Sequence, residues 1–145
     1  RRRINRSRIA GPMAGIKEGS MKILVVEDSI VQRRAIQRII QAAGFSNPVL
    51  EAANGQEAVQ VLGSNFNDIG LILCDWSMPV MSGIDFVEGV GKIPQLSKIP
   101  IIMVTTEGTV DRIKEAYAKY PSLVGYVTKP FTADQLKEKI QPFFK

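Results

Sequence analysis

The chain of 145 residues contains no histidine, and this absence excludes several classes of mechanism. Without an imidazole the chain cannot assemble a Ser-His-Asp or Cys-His catalytic group of its own, or a metal site with histidine ligands. Its single cysteine, Cys74, rules out an internal disulfide and is consistent with a reducing compartment such as the cytoplasm. No apolar run approaches the roughly 18 residues that a membrane span requires, so no membrane partner is expected.

The chain also lacks a net charge outside residues 1–20. That segment holds six basic side chains and one acidic side chain, which account for the whole formal net charge of +5. Residues 21–145 hold 13 basic and 13 acidic side chains and are neutral overall. Residues 21–145 therefore have no excess positive charge to attract the phosphates of nucleic acid, and no nucleic-acid partner is expected for them.

Residues 1–20 show no apolar periodicity and end in Gly-Ser ahead of Met21. One interpretation is a basic arm for anionic lipid or nucleic acid. The favoured interpretation is a disordered basic leader introduced by cloning, with Met21 as the natural start. We therefore expect one folded domain over residues 21–145, long enough to bury a substantial core.

Five apolar runs alternate with segments of helical periodicity. The runs over residues 22–26, 49–52, 69–75, 99–104 and 123–127 predict strands buried on both faces. Each is followed by apolar residues at the spacing of an amphipathic helix. Such alternation with short connections predicts a parallel sheet covered by helices on both faces. The expected architecture is a doubly wound, flavodoxin-like (βα)5 sandwich with strand order 2-1-3-4-5.

Side chains with capping chemistry mark the expected helix boundaries. Ser29 can cap the first helix. Residues 54–57 and 132–135 have the form of capping boxes for the second and last helices. The second helix is expected to end near Gly63, and the last to extend to Phe144.

Polar side chains follow four of the predicted strands directly. Glu27 and Asp28 follow the first strand, Asp75 closes the third, Thr105 follows the fourth and Lys129 lies just after the fifth. The carboxyl ends of parallel strands share one edge of the sheet, and the strand order reverses between the first and third strands. We therefore expect these five side chains to meet at that edge.

Three carboxylates this close repel one another unless a cation intervenes. Mg²⁺ (or Mn²⁺) suits them, because such hard cations prefer oxygen ligands and retain coordination positions for phosphate. Lys129 adds a fixed positive charge and Thr105 a hydroxyl, so the whole group suits a phosphoryl group. Asp75 lies between the acidic pair and the Thr105–Lys129 pair, and it is the expected nucleophile.

In four motifs the chain resembles the receiver domains of two-component response regulators. These are Val-Val-Glu-Asp at 25–28, Asp-Trp-Ser-Met-Pro at 75–79 with Gly83, Val-Thr at 104–105, and Val-Thr-Lys-Pro-Phe at 127–131. The resemblance covers residues 21–145 and is closest to the stand-alone, CheY-like chemotaxis type.

The resemblance implies that Asp75 accepts a phosphoryl group from the phosphohistidine of a sensor histidine kinase, which would explain why this chain needs no histidine. It also implies a Mg²⁺ site formed by Asp28, Asp75 and the backbone carbonyl of Ser77. Glu27 would contribute to this site largely through a metal-bound water.

The resemblance implies a conformational switch as well. Lys129 would contact the phosphoryl oxygens, and Thr105 would move to hydrogen-bond them. Tyr126 would turn inward as Thr105 moves. The Lys129–Pro130 bond is typically cis in the family, and Trp76, beside the site, is expected to report on metal binding.

Two positions depart from the family pattern. The acidic pair is Glu27-Asp28 rather than Asp-Asp, and we expect the longer Glu27 side chain to retain metal binding with an altered geometry. Ser77 stands where many chemotaxis members carry asparagine, a position that faces the attacking water in the family, so we expect this residue to influence the autodephosphorylation rate.

The expected function is a phosphorylation-activated signalling switch rather than an enzyme acting on other substrates. No DNA-binding or enzymatic region follows Lys145, so we expect the signal to pass to a separate effector such as a flagellar motor component. We also expect the protein to be a monomer. The expected reading face comprises helix 109–119, Tyr126 and helix 132–144. A phosphorelay intermediate and a phosphate sink are alternatives within the same family.

Two alternatives come from other classes of protein. A haloacid-dehalogenase-like phosphatase uses a second acid two residues after its nucleophile, where this chain has Ser77. A flavodoxin-like nucleotide binder needs a glycine-rich phosphate loop after the first strand, and Glu27 and Asp28 occupy that place.

Overall fold

The structure is a computed structural model, and it describes residues 21–78, 80–106 and 110–144. The expectations for residues 1–20 and for Pro79 lie outside these ranges, as does the start of the predicted reading face at residue 109. Within them, no helix combines the length and the apolar character needed to cross a membrane.

Five strands alternate with five helices along the described chain. In order they are β1 Lys22–Val26, α1 Ile30–Ala42, β2 Val49–Ala52, α2 Gly55–Asn65, β3 Ile69–Asp75, α3 Gly83–Gly91, β4 Ile101–Thr105, α4 Val110–Lys119, β5 Leu123–Thr128 and α5 Ala133–Ile140, followed by a 3₁₀ turn at Gln141–Phe143. The predicted βα alternation is confirmed.

The strands form one parallel sheet in the order β2-β1-β3-β4-β5, which confirms the predicted 2-1-3-4-5 topology. β3 is central: Cys74 lies opposite Val26 of β1 and opposite Met103 of β4. Asp75, which ends β3, is therefore flanked by the ends of β1 and β4.

Two apolar clusters cover the two faces of the sheet. Alternate residues of β3 divide between them, since Ile72 and Cys74 belong to one cluster and Leu71 and Leu73 to the other. All four side chains are fully buried. Burial on both faces explains why the strand sequences are continuously apolar rather than alternating.

Four helices begin at a side-chain cap. Ser29, Asn54, Ser82 and Thr132 each accept a hydrogen bond from a backbone N–H three residues on. The capping box at Thr132 is complete. At Asn54 the second hydrogen bond of the capping box differs, because the Glu57 side chain accepts from the N–H of Ala53 rather than from that of Asn54.

The predicted boundaries of α2, β4 and α5 were wrong. α2 continues past Gly63 to Asn65, where the exposed helix end tolerates a glycine with nothing within 4 Å of its Cβ position. β4 begins at Ile101, because Pro100 lacks the N–H that would extend the ladder, and it includes Thr105. α5 ends at Ile140, since the chain turns into a 3₁₀ conformation containing Pro142.

Candidate functional site

The acidic pair lies directly after β1. Glu27 is 1% exposed, and its carboxylate accepts from the Ser29 N–H at 3.1 Å. Its own N–H donates to the Ala52 carbonyl of the neighbouring strand end. Asp28 is exposed at the rim. One carboxylate is therefore held inside the edge of the sheet, and the other faces the crevice.

Asp75 ends the central strand and is 7% exposed. The Trp76 N–H that follows donates to the Val104 carbonyl of β4, and the Gly83 N–H donates to the Trp76 carbonyl. These two bonds hold the backbone directly after Asp75 against the end of β4 and against the start of α3. The Asp75 carboxylate is thereby fixed by the sheet rather than carried on a free loop.

Lys129 follows β5 and reaches across to the acidic residues. Its Nζ lies 2.9 Å from Glu27 Oε1, 3.4 Å from Asp75 Oδ1 and 2.7 Å from Gln32 Oε1. The Lys129–Pro130 peptide bond is cis, as the resemblance implied. The ammonium therefore joins residues from β1, β3 and α1 in one polar group.

The carboxylates are held at an electrostatic cost. Burial raises the pKa of Asp75, and the nearby Asp28 adds to the rise; Lys129 and the Ser77 backbone N–H lower it, but the net direction is upward. Burial also raises the pKa of Glu27, and the hydrogen bond with Asp28 adds to the rise. Burial lowers the pKa of Lys129, but Glu27 and Asp75 outweigh it, and the net direction is upward. The site therefore has an excess of negative charge that one lysine does not neutralise.

This donor set fits a hard divalent cation. Carboxylate oxygens of Glu27, Asp28 and Asp75 all lie within 4.8 Å of one another. Mg²⁺ prefers such oxygen ligands, and its charge would offset both the burial of the carboxylates and the repulsion between them. The predicted acidic group is thus brought together as expected.

The predicted switch residues occupy the neighbouring strands. Thr105 is buried at the end of β4, where its hydroxyl lies 3.3 Å from the Thr106 carbonyl. Tyr126 lies in β5 opposite Met103 and is half-buried. Its ring packs edge-to-face on Tyr117 with centroids 6.5 Å apart. Thr105 and Tyr126 therefore belong to adjacent strands, β4 and β5, which both follow β3 in the strand order.

The residues around Asp75 have distinct environments. Trp76 is nearly buried against the core, and Ser77 is exposed, with a backbone N–H that lowers the pKa of Asp75. The proposed ligand role of the Ser77 carbonyl stays a prediction. Cys74 is fully buried, and burial raises the pKa of its thiol well above the ordinary value, as expected for an unreactive core cysteine.

Two polar contacts of the site were missed in the sequence. Gln32 makes the shortest contact of Lys129, and Arg33 donates from Nη1 to the Glu27 carbonyl at 2.7 Å. Both lie on the first turns of α1, where the sequence offers only a run of polar residues. Their contacts depend on the rotation of α1 about its axis relative to the sheet, which no local pattern specifies.

The strand order and the polar edge place the chain among doubly wound α/β proteins that use the switch point of the sheet. The sequence matches the response regulator receiver domain family over residues 23–141, and the chain belongs to this family. Members of the family are signalling regulators rather than metabolic enzymes, which decides against the phosphatase alternative.

The chain is similar along most of its length to proteins of comparable size. The chemotaxis protein CheY of Pseudomonas aeruginosa is 42% identical over 125 residues, which are 86% of this chain and 97% of that protein. CheY1 of Helicobacter pylori is 40% identical over 121 residues, covering 83% and 94% of the two chains. Among solved structures, the chemotaxis response regulator CheY4 of Vibrio cholerae has a TM-score of 0.72 at 33% identity, covering 86% and 98%.

Proposed function

We propose that this protein is a phosphorylation-activated switch that accepts a phosphoryl group on Asp75 with Mg²⁺ (or Mn²⁺) bound. The observation that carries the proposal is the convergence of three carboxylates and one lysine at the end of the central strand. Glu27, Asp28, Asp75 and the Ser77 carbonyl would hold the cation. When bound, it supplies positive charge for the phosphoryl oxygens.

The transfer itself is an in-line substitution at phosphorus. A carboxylate oxygen of Asp75 forms the new O–P bond as the N–P bond to the donor histidine breaks, and the bonding pair leaves on the imidazole nitrogen. Lys129 can keep its contact with Glu27 at 2.9 Å and exchange its longer contact with Asp75 for a phosphoryl oxygen. Its charge then lies where negative charge accumulates.

The signal would pass from Asp75 through the neighbouring strands. Thr105 hydrogen-bonds the phosphoryl group, and Tyr126 repositions against Tyr117, which changes the face formed by α4, β5 and α5. The phosphorylated form binds its effector more tightly, so that phosphorylation shifts the population between two states. Ser77, with its small side chain, influences how readily water reaches the acyl phosphate.

The partners follow from this chemistry and from the relatives. The donor is a sensor histidine kinase, and the reader is a separate protein such as a flagellar motor component, in keeping with relatives named as chemotaxis proteins. The switch resides in residues 21–145, acts as a monomer and does not depend on residues 1–20. A role as a phosphorelay intermediate uses the same site and differs only in what receives the phosphoryl group.

Incubation with acetyl phosphate and Mg²⁺ tests the acceptor function directly. The expected result is a mass gain of one phosphoryl group that is lost in mild base, because acyl phosphates hydrolyse readily. Borohydride reduction followed by peptide mapping should locate the modification at residue 75. Modification at another residue, or a mass gain that persists when the metal is chelated, would contradict the proposal.

Mg²⁺ binding should be visible in the fluorescence of Trp76, the only tryptophan, which follows Asp75 directly. A saturable change is expected in the wild type, and Asp28→Asn should weaken the apparent affinity at least about tenfold by removing a direct ligand. Asp134→Asn, at the start of α5, is the charge-matched control and should leave the titration unchanged. Equal affinity in Asp28→Asn and the wild type would exclude Asp28 as a ligand.

A further inference from the structure

Arg33 lies beneath the acidic pair and connects three elements of the fold. From the second turn of α1, its Nη1 donates to the Glu27 carbonyl at the end of β1 at 2.7 Å. Its Nε donates to Glu51 Oε1 on β2 at 2.9 Å. The side chain is 13% exposed, so these contacts are made largely out of water. Arg33 therefore joins α1 to the ends of two strands at the edge that carries the site.

The bond to the Glu27 carbonyl completes the restraint of that residue. The Glu27 N–H already donates to Ala52, and its carboxylate accepts from Ser29 and Lys129. The carbonyl belongs to the peptide unit that leads into Asp28. Fixing it therefore fixes the direction in which the chain leaves β1 and presents the Asp28 side chain.

Glu51 braces the guanidinium from the opposite side. Its Oε1 lies 2.9 Å from Arg33 Nε and 3.6 Å from Nε of the neighbouring Arg34. Arg34 is 56% exposed, and among the described residues it is Arg33, not Arg34, that donates to the β1–α1 connection. The two neighbouring arginines thus carry the same charge near the same carboxylate, but only Arg33 contacts the backbone of the acidic pair.

We propose that Arg33 is a positioning residue of the phosphoacceptor site: braced by Glu51, it holds the Glu27 carbonyl and thereby keeps Glu27 and Asp28 in the arrangement that binds the divalent cation. This inference rests on the proposed function in taking the acidic group as a Mg²⁺ site. Groups that orient metal ligands from behind typically contribute about 10–100-fold to metal affinity.

Charge and positioning make opposite predictions at this residue. A guanidinium near a divalent cation repels it, so removal of the charge alone should strengthen Mg²⁺ binding slightly. Loss of positioning should weaken it. The direction of the change in Kd therefore separates the two effects, and Arg34→Met measures the contribution of charge.

The test is calorimetric titration of the full chain with MgCl₂, well below the unfolding temperature of each variant. Arg33→Met should weaken Kd about tenfold or more, whereas Arg34→Met should leave it unchanged or slightly tighter. Arg33→Lys keeps the positive charge but lacks the planar guanidinium, so its Kd should lie between those of Arg33→Met and the wild type. If Arg33→Met does not fold, the Kd of Arg33→Lys for Mg²⁺ alone tests the proposal, and a value equal to that of the wild type overturns it. A merely structural role would lower the melting temperature of Arg33→Met and leave its Kd unaltered.

The outcomes distinguish this inference from the function on which it rests. If the wild type binds Mg²⁺ and the Arg33 variants bind it equally well, Arg33 is not a positioning residue and the proposed function stands. Equal weakening in the Arg33→Met and Arg34→Met variants would also overturn the inference. If the wild type binds no Mg²⁺, the proposed function fails and the inference fails with it.

Discussion

Asp75→Asn is expected to abolish phosphoryl transfer and, at the same time, to make the metal-free protein more stable. The amide lacks the nucleophilic oxygen anion, so incorporation from acetyl phosphate should fall at least about 10³-fold, in the range seen when a group essential to the reaction is removed. The gain in stability follows from the raised pKa of Asp75, because burial together with the nearby Asp28 outweighs the opposing effect of Lys129. Lys129 retains Glu27 and Gln32 as partners in the variant.

The pH dependence gives this gain a definite sign. A carboxyl group with a raised pKa binds its proton more tightly in the folded state, so its ionisation favours unfolding. The contribution of Asp75 to the stability of the metal-free wild type should therefore fall as pH rises from the ordinary pKa of 3.8 through the raised pKa. Asp75→Asn lacks this loss, so the difference between the two proteins should widen over that interval and then stay constant toward neutral pH.

Thermal unfolding in the presence of a chelator measures the effect. At neutral pH the melting temperature of Asp75→Asn should exceed that of the wild type, and each 1 kcal/mol of added stability corresponds to about 3–5 °C in a domain of this size. Asp85→Asn is the matched control, because it removes an exposed carboxylate from the first turn of α3. It should retain phosphorylation and gain no stability. A lower melting temperature in Asp75→Asn would show that the contact with Lys129 outweighs burial.

Gly83→Ala should be among the most damaging small substitutions in this chain. A Cβ at Gly83 would lie 2.6 Å from the Asp75 carbonyl oxygen and 2.9 Å from Trp76 Cα, both backbone atoms of the strand end. It would also lie 2.5 Å from the Met103 Cε, which can move more easily. The backbone contacts can be relieved only by shifting α3 away from the sheet, so we expect a loss of about 2–3 kcal/mol.

Gly89→Ala, in the same helix, should have the opposite effect. Nothing lies within 4 Å of a Cβ at Gly89, and the position is exposed. Alanine there should add about 0.5–1 kcal/mol through helix propensity and a less flexible unfolded chain. Urea unfolding of both variants measures the two changes. Equal effects in the two variants would show that α3 responds to propensity alone and that the close approach at Gly83 is unimportant.

Most of the fold was predictable because it depends on long, uninterrupted apolar runs. β1 and β3 read clearly as buried strands, and their positions in the sheet follow from the rules for βα connections. The boundaries were less predictable where two local signals compete. Gly63 did not end α2, because an exposed glycine weakens a helix without breaking it, and the turn came only after Asn65.

The acidic group and Lys129 were predictable because each follows a strand, and strand ends meet at one edge. Arg33 and Gln32 were not, since adjacent positions on a helix point in directions about 100° apart and only the packing of α1 decides which faces the site. The sequence does not distinguish Arg33 from Arg34, yet the two differ fourfold in side-chain exposure. Helix rotation is tertiary information, set by core residues such as Ile36 and Ile40.

The buried thiol of Cys74 provides a built-in experimental tool. It is the only sulfhydryl in the chain, and it is fully enclosed at the centre of the sheet. In the native protein a maleimide or disulfide reagent should therefore react with Cys74 only when the sheet itself opens, so its labelling rate reports rare unfolding events. For the same reason, a cysteine introduced on the surface could be labelled selectively with a dye or spin label, without first removing the natural one.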